Sequence, residues 1–139
     1  MSMLHLDYQV PGDDFTRAGE ASGDVKHKLK KLGYEPDAIR RVSIAMYEGE
    51  INMVIHAHGG KATAEIYPDR IDIYLKDTGP GIADVGLAMR AGYSTATENI
   101  RSLGFGAGMG LPNMKKYSDD MKIDTAVGVG TTVFLRICF

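Results

Sequence analysis

Apolar and polar side chains alternate from Met3 to Val10 (MLHLDYQV), and Pro11-Gly12 closes the run, which predicts a strand with one face buried. The period then lengthens. From Asp14 to Leu32 the apolar or small residues Phe15, Ala18, Ala21 or Ser22, Val25, Leu29 and Leu32 recur at helical spacing, with Gly33 as a C-terminal cap and Gly19 and Gly23 weakening the interior. Pro36, suited to a first helical turn, opens a second helix through Ile39, Val42, Ile44, Ala45, Met46, Ile51, Val54 and Ile55, ending near His58-Gly59-Gly60. Residues 62–67 (ATAEIY) and 71–76 (IDIYLK) read as two strands of an antiparallel hairpin joined by Pro68-Asp69-Arg70.

Residues 77–110 hold eight of the seventeen glycines, in two clusters around a short helical patch from Asp84 to Ala91. Helical spacing returns from Leu111 to Tyr117. Strands are predicted at Lys122 to Ala126 and Thr131 to Cys138, on either side of Gly128-Val129-Gly130. The order β, α, α, β, β, mixed segment, α, β, β predicts one domain over residues 1–139 with an α+β fold. That fold is a two-layer α/β sandwich, its helices covering one face of a mostly antiparallel, mixed sheet.

Composition narrows the function. Hydrophobic residues at 44% and charged residues at 24% are those of an ordinary globular domain. With 16 basic against 18 acidic residues the net charge is −2, so no broad basic field draws in a phosphate backbone, and direct nucleic-acid binding is not expected. The single cysteine, Cys138, cannot form an intrachain disulfide. The amino terminus lacks a basic region followed by a long apolar run, and no stretch approaches the about 18 apolar residues of a membrane span. A cytoplasmic protein is expected.

Three features carry chemistry. On the second helix Glu48, Asn52 and His56 are spaced four apart and form a polar stripe that faces either solvent or a ligand. Glu50 reads as a solvated surface residue without a role. Asp77-Thr78-Gly79-Pro80-Gly81-Ile82 comes directly off a strand, placing a carboxylate at the strand end and two glycines where backbone can approach a flat ligand. Gly104-Phe105-Gly106-Ala107-Gly108-Met109-Gly110 runs into the helix beginning near Leu111. Unpaired backbone N–H groups ahead of a helix N-terminus suit an anion, although a plain surface loop has the same composition. The run lacks the context of a dinucleotide fingerprint and the Lys-Ser/Thr ending of a P-loop.

The ordered set E-x-x-x-N-x-x-x-H (Glu48, Asn52, His56), D-x-G-x-G-I (Asp77 to Ile82), G-x-G-x-G (Gly106 to Gly110) and G-T-T (Gly130 to Thr132) resembles the nucleotide boxes of the GHKL ATPases. That superfamily includes gyrase B, MutL, sensor histidine kinases and the anti-sigma serine kinases, all on the Bergerat ATP-binding fold. The length, the run Gly92-Tyr93-Ser94-Thr95, the run Gly106 to Pro112, and Phe15-Thr16-Arg17 make the chain most similar to the stand-alone anti-sigma or switch kinases.

The resemblance implies ATP or ADP with Mg²⁺ as cofactors. It implies that Asp77 accepts a hydrogen bond from the adenine amine, supported by Thr131 or Thr132, with Gly79, Gly81 and Ile82 shaping the same turn. Asn52 would ligate Mg²⁺, and Glu48 would take the proton from the attacking hydroxyl. The backbone at Gly104, Gly106, Gly108, Met109, Gly110 and Leu111 would meet the phosphates, with Ser94 and Thr95 reaching them from a lid or remaining plain loop residues. His56 fits the family position without a catalytic role. Arg17 falls at a partner-contact position. Residues 96–103 are longer than the compact lid of the switch kinases. The implied function is an ATP-dependent serine/threonine kinase and anti-sigma regulator acting on a small STAS-type antagonist. A nucleotide-dependent sequestering module for a sigma factor and a detached histidine-kinase catalytic domain are the alternatives. Homodimerisation through the first strand and helix is implied by the same resemblance.

Overall fold

The computed structural model describes residues 3–12, 15–57, 59–90 and 110–139. The alternating segments become β1 (Leu4–Pro11), β2 (Gly59–Ile66), β3 (Arg70–Asp77), β4 (Asp120–Ala126) and β5 (Gly130–Cys138). The helical ones become α1 (Glu20–Leu32), α2 (Pro36–His56), the single turn α3 (Val85–Ala88) and α4 (Gly110–Tyr117). The strands lie in the order β1-β2-β3-β5-β4, and all four pairings are antiparallel. The parallel component expected of a mixed sheet is absent among the described residues. The reason is topological: two antiparallel helices between β1 and β2 return the chain to the sheet end it left, whereas a parallel pair needs a single crossover.

Strand alternation fills one face. Leu4, Leu6, Tyr8 and Val10 on β1 join Ala62, Ala64 and Ile66 on β2, Ile71, Ile73 and Leu75 on β3, and Val133, Leu135 and Ile137 on β5 in the core. The helices cover this face with Val25, Leu29, Val42, Ala45, Met46, Val54, Leu111 and Met114. Each fully buried side chain of this size contributes about 1.5–3 kcal/mol, and β3 and β5 supply three such positions each. A Cβ at Gly49 would lie 2.1 Å from Leu75 Cδ1 and 3.2 Å from Met114 Sδ. Its missing side chain brings α2 down onto both the sheet and α4. Among the described residues no helix is long and apolar enough to cross a membrane.

Two further expectations change. The first helix begins at Glu20 rather than Asp14, because Gly19 takes a left-handed φ of 97° that ends helical geometry on its N-terminal side. Phe15 and Ala18 still pack on the core, but from the preceding turn, and Leu32 is exposed. Glu50 is not a surface residue. It is 2% exposed, and its carboxylate accepts hydrogen bonds from the backbone N–H groups of Gly19 (3.0 Å), Ala21 (3.1 Å) and Ser22 (3.0 Å). The first turn of α1 has no side-chain cap of its own. Its orphan donors and positive dipole end are satisfied from α2 instead.

Candidate functional site

The end of β3 carries one row of polar groups across three strands. Asp77 is paired directly with Thr131 on β5, and Thr131 with Thr125 on β4. Asp77 Oδ1 accepts hydrogen bonds from the backbone N–H of Gly79 (2.9 Å) and of Thr131 (3.2 Å). Among the described residues Oδ2 takes none, so the carboxylate is oriented by its backbone while keeping one oxygen available. Thr125 Oγ1 accepts the N–H of Ile82 at 2.9 Å and lies 2.8 Å from Thr131 Oγ1. Thr132 pairs with Lys76, one step along the alternation, and so sits on the opposite face of the sheet from Asp77.

Backbone crowding explains the glycines of the turn. A Cβ on Gly79 would come within 2.7 Å of both Cα and Cβ of Ala57, at the C-terminus of α2. Gly81 has φ +78°, and a Cβ there would lie 2.5 Å from the Ala126 carbonyl oxygen. The turn is thus wedged between the end of α2 and the β4–β5 hairpin, which fixes it relative to the Asp77 carboxylate.

The second half of the site is the α2 stripe. Glu48, Asn52 and His56 are all partly exposed, on the face turned away from Glu50. Helix α4 lies against this stripe: Asn113 Nδ2 donates to Glu48 Oε1 at 3.4 Å, and a Cβ on Gly110 would fall 2.8 Å from Asn52 Oδ1. The first residue of α4 therefore meets Asn52 and its fourth meets Glu48, so α4 runs antiparallel to α2 with its N-terminus at Asn52. Such a terminus offers unpaired N–H groups and a positive dipole end beside the amide. Lys115 and Lys116 lie in the last turn of α4, where the dipole favours cations. Burial holds the His56 imidazole below its ordinary pKa, towards the neutral ring.

Asp77, Gly79, Gly81, Ile82 and Thr131 thus meet at the strand-end turn, and Glu48, Asn52 and Gly110 at the α2–α4 seam. Leu111 packs its side chain into the core and has only its backbone to offer a ligand. Arg17 is exposed in the turn before α1, where its Nε pairs with Glu20 at 3.2 Å. Ser94, Thr95, Gly104, Gly106, Gly108, Met109 and the segment 96–103 lie outside the described residues. Sequence reasoning missed Thr125 and Asn113. Thr125 was findable as the residue facing Thr131 across the Gly128 hairpin, and Asn113 as the polar position one turn into a helix that follows a glycine run.

A family model described as "Histidine kinase-, DNA gyrase B-, and HSP90-like ATPase" matches residues 38–139. The chain is 31% identical over 112 residues to the serine/threonine-protein kinase RsbT of Bacillus subtilis, covering 78% of each chain. It is 29% identical over 114 residues to the anti-sigma F factor of Halalkalibacterium halodurans, covering 78% of this chain and 75% of that one. Among solved structures, the RsbU and RsbW domains of a Mycobacterium tuberculosis protein superpose with a TM-score of 0.64 at 15% identity, over 97% of this chain and 32% of that chain. The last likeness speaks for the fold alone. With α2 from Ala38 onward, the Asp77 turn and the β4–β5 hairpin inside the matched span, the chain belongs to the family of histidine kinase-, DNA gyrase B- and HSP90-like ATPases.

Proposed function

We propose that this chain is a single-domain, Mg-ATP-dependent serine/threonine protein kinase and anti-sigma regulator, acting in the cytoplasm on a small STAS-type antagonist or a sigma factor. Membership of an ATPase family supports a nucleotide as the ligand of the site. The names of the two relatives above, a serine/threonine-protein kinase and an anti-sigma F factor, support the choice of kinase and regulator. The observation that carries the chemistry is the α2–α4 seam, where a carboxylate (Glu48) and an amide (Asn52) one turn apart flank the start of a helix.

The residues fit Mg-ATP. Asp77 presents one unengaged carboxylate oxygen, an acceptor for an adenine amine, and Thr131 and Thr125 hold a hydroxyl pair beside it. Asn52 Oδ1 is a hard oxygen ligand of the kind Mg²⁺ takes alongside phosphate oxygens and waters. The space left by Gly110 keeps that amide clear of the α4 backbone. When bound, ATP supplies the phosphoryl group and Mg²⁺ neutralises charge on it. The chain's own part is alignment: the Asp77 row orients the base, the α4 N-terminus favours the phosphates, and Glu48 accepts the proton of the incoming hydroxyl. Asn113, on Glu48 Oε1, orients that carboxylate towards the same side as Asn52.

The deciding experiment incubates the protein with γ-labelled ATP, Mg²⁺ and STAS-type proteins encoded beside it. Label on a serine or threonine of one of them is expected. Tight nucleotide-dependent binding with no transfer would replace the kinase by a sequestering module.

A further inference from the structure

The most unusual buried group outside the nucleotide site is Glu50. Carboxylates are rarely taken fully out of water, because desolvation of the charge costs several kcal/mol unless hydrogen bonds replace the lost waters. Here three backbone N–H groups do so, all from the turn and first residues of α1. The two oxygens divide the work. Oε2 takes Gly19 and Ala21, and Oε1 takes Ser22. The same turn is held from a second side, since a Cβ on Gly19 would lie 3.1 Å from Tyr47 Cε1. Gly19 therefore sits between two side chains of α2 that bracket Glu48 and Gly49 in sequence.

Glu50 is two positions from both Glu48 and Asn52, about 200° around the helix from each. One side of α2 thus carries the nucleotide face, and the other carries the clamp on the turn that bears exposed Arg17. Between them Gly49 is seated on Leu75 and Met114, so α2 cannot roll to relieve one side without disturbing the other. Contiguous, tightly packed elements of this kind transmit small shifts because packed cores resist continuous deformation.

We propose that Glu50 is a positioning residue that joins the Arg17 turn to the nucleotide-bearing helix, so that occupancy of one is felt at the other. The coupling rests on the nucleotide reading of the Glu48–Asn52 face. Because coupling free energy is reciprocal, it is measurable without any protein partner: by whatever factor ordering the turn raises nucleotide affinity, nucleotide raises the equilibrium constant for ordering the turn.

The experiment is residue-resolved amide hydrogen exchange by NMR on the whole chain, with and without saturating Mg-ADP. In the wild type Mg-ADP is expected to slow exchange at Gly19, Ala21 and Ser22 by at least about fivefold, the lower end of ordinary coupling factors. Glu50→Gln places an NH₂ donor where a carboxylate oxygen accepted N–H, and should abolish the slowing while Mg-ADP affinity stays within about threefold. Gly19→Ala reaches the clamp from the other side. It strains a φ of 97° and crowds Tyr47 while leaving every residue of α2 unsubstituted, and should abolish the slowing equally. A merely structural Glu50 would make those amides exchange faster in the variant, with the response to Mg-ADP intact. That outcome, or no Mg-ADP response in the wild type, overturns the proposal. A wild type that binds no Mg-ADP at all overturns the nucleotide reading first, and the coupling with it.

Discussion

Asp77 and Thr131 are direct partners across β3 and β5, and the Thr131 backbone N–H reaches Asp77 Oδ1 at 3.2 Å. The carboxylate is therefore set by main chain alone, with Gly79 N–H as its second donor. Asp77→Asn can keep both bonds through its carbonyl oxygen while turning the second oxygen into a donor. Folding stability should stay near that of the wild type. Nucleotide affinity should fall about 10- to 150-fold, the equivalent of about 1.5–3 kcal/mol for a charged hydrogen bond. Calorimetric titration with Mg-ADP beside a thermal melt reads both, and unchanged affinity would remove Asp77 from the site.

Glu48→Gln should leave nucleotide affinity within a few fold and lower phosphoryl transfer by about 10² to 10⁴. Asn52→Ala should differ by weakening Mg-dependent binding as well as rate, because under the proposed assignment it deletes a metal contact and not a proton acceptor. Single-turnover transfer with a phosphorylatable partner, paired with nucleotide titration, separates the two. A Glu48→Gln enzyme at the wild-type rate would assign the base elsewhere.

Two helix glycines should respond oppositely to alanine. Gly23 in α1 has nothing within 4 Å of an added Cβ, so Gly23→Ala should stabilise by about 0.5–1 kcal/mol through helix propensity. Gly49→Ala would meet Leu75 at 2.1 Å and should destabilise by about 1–3 kcal/mol through overpacking. Urea unfolding of both variants checks the pair, and a stable Gly49→Ala would show that α2 can lift from the sheet.

Two histidines should titrate on opposite sides of the ordinary value of 6.5. His5 is raised by hydrogen bonds to Asp7 and Glu65, and His56 is lowered by burial. For His5 the stabilising contribution is fully present below 6.5 and lost as pH rises through its folded value. For His56 the unfolded chain binds the proton first, so stability declines as pH falls from 6.5 towards its folded value. His5→Gln should therefore cost more at pH 5.5 than at pH 8, by a small amount at this exposed site. His56→Gln should flatten the acid-side loss. Imidazole NMR titration and unfolding at the two pH values measure both signs.

Much of the fold was legible because its signals are local. The alternation of IDIYLK and the threonine-rich end of β5 need only neighbours in sequence to declare a strand. The Gly81 turn needs only the two residues beside it. The candidate site was legible where residue types and order suffice: Glu48 with Asn52 on one helix, and Asp77 at a strand end. Thr125 and Asn113 left only the weak signals of a hairpin register and a helix after a glycine run, since the partners they meet, Ile82 and Glu48, are far away in sequence.

By itself the sequence determined the element order, the buried face of each strand and the residues that resemble a nucleotide site, because periodicity and short motifs are properties of adjacent residues. Only the tertiary structure decided that α1 starts at Glu20, that Thr131 and not Thr132 shares a face with Asp77, and that Glu50 is buried. A glutamate on a helix looks solvated until another helix brings it three unpaired N–H groups, and what a side chain meets across 28 to 31 residues is set by packing.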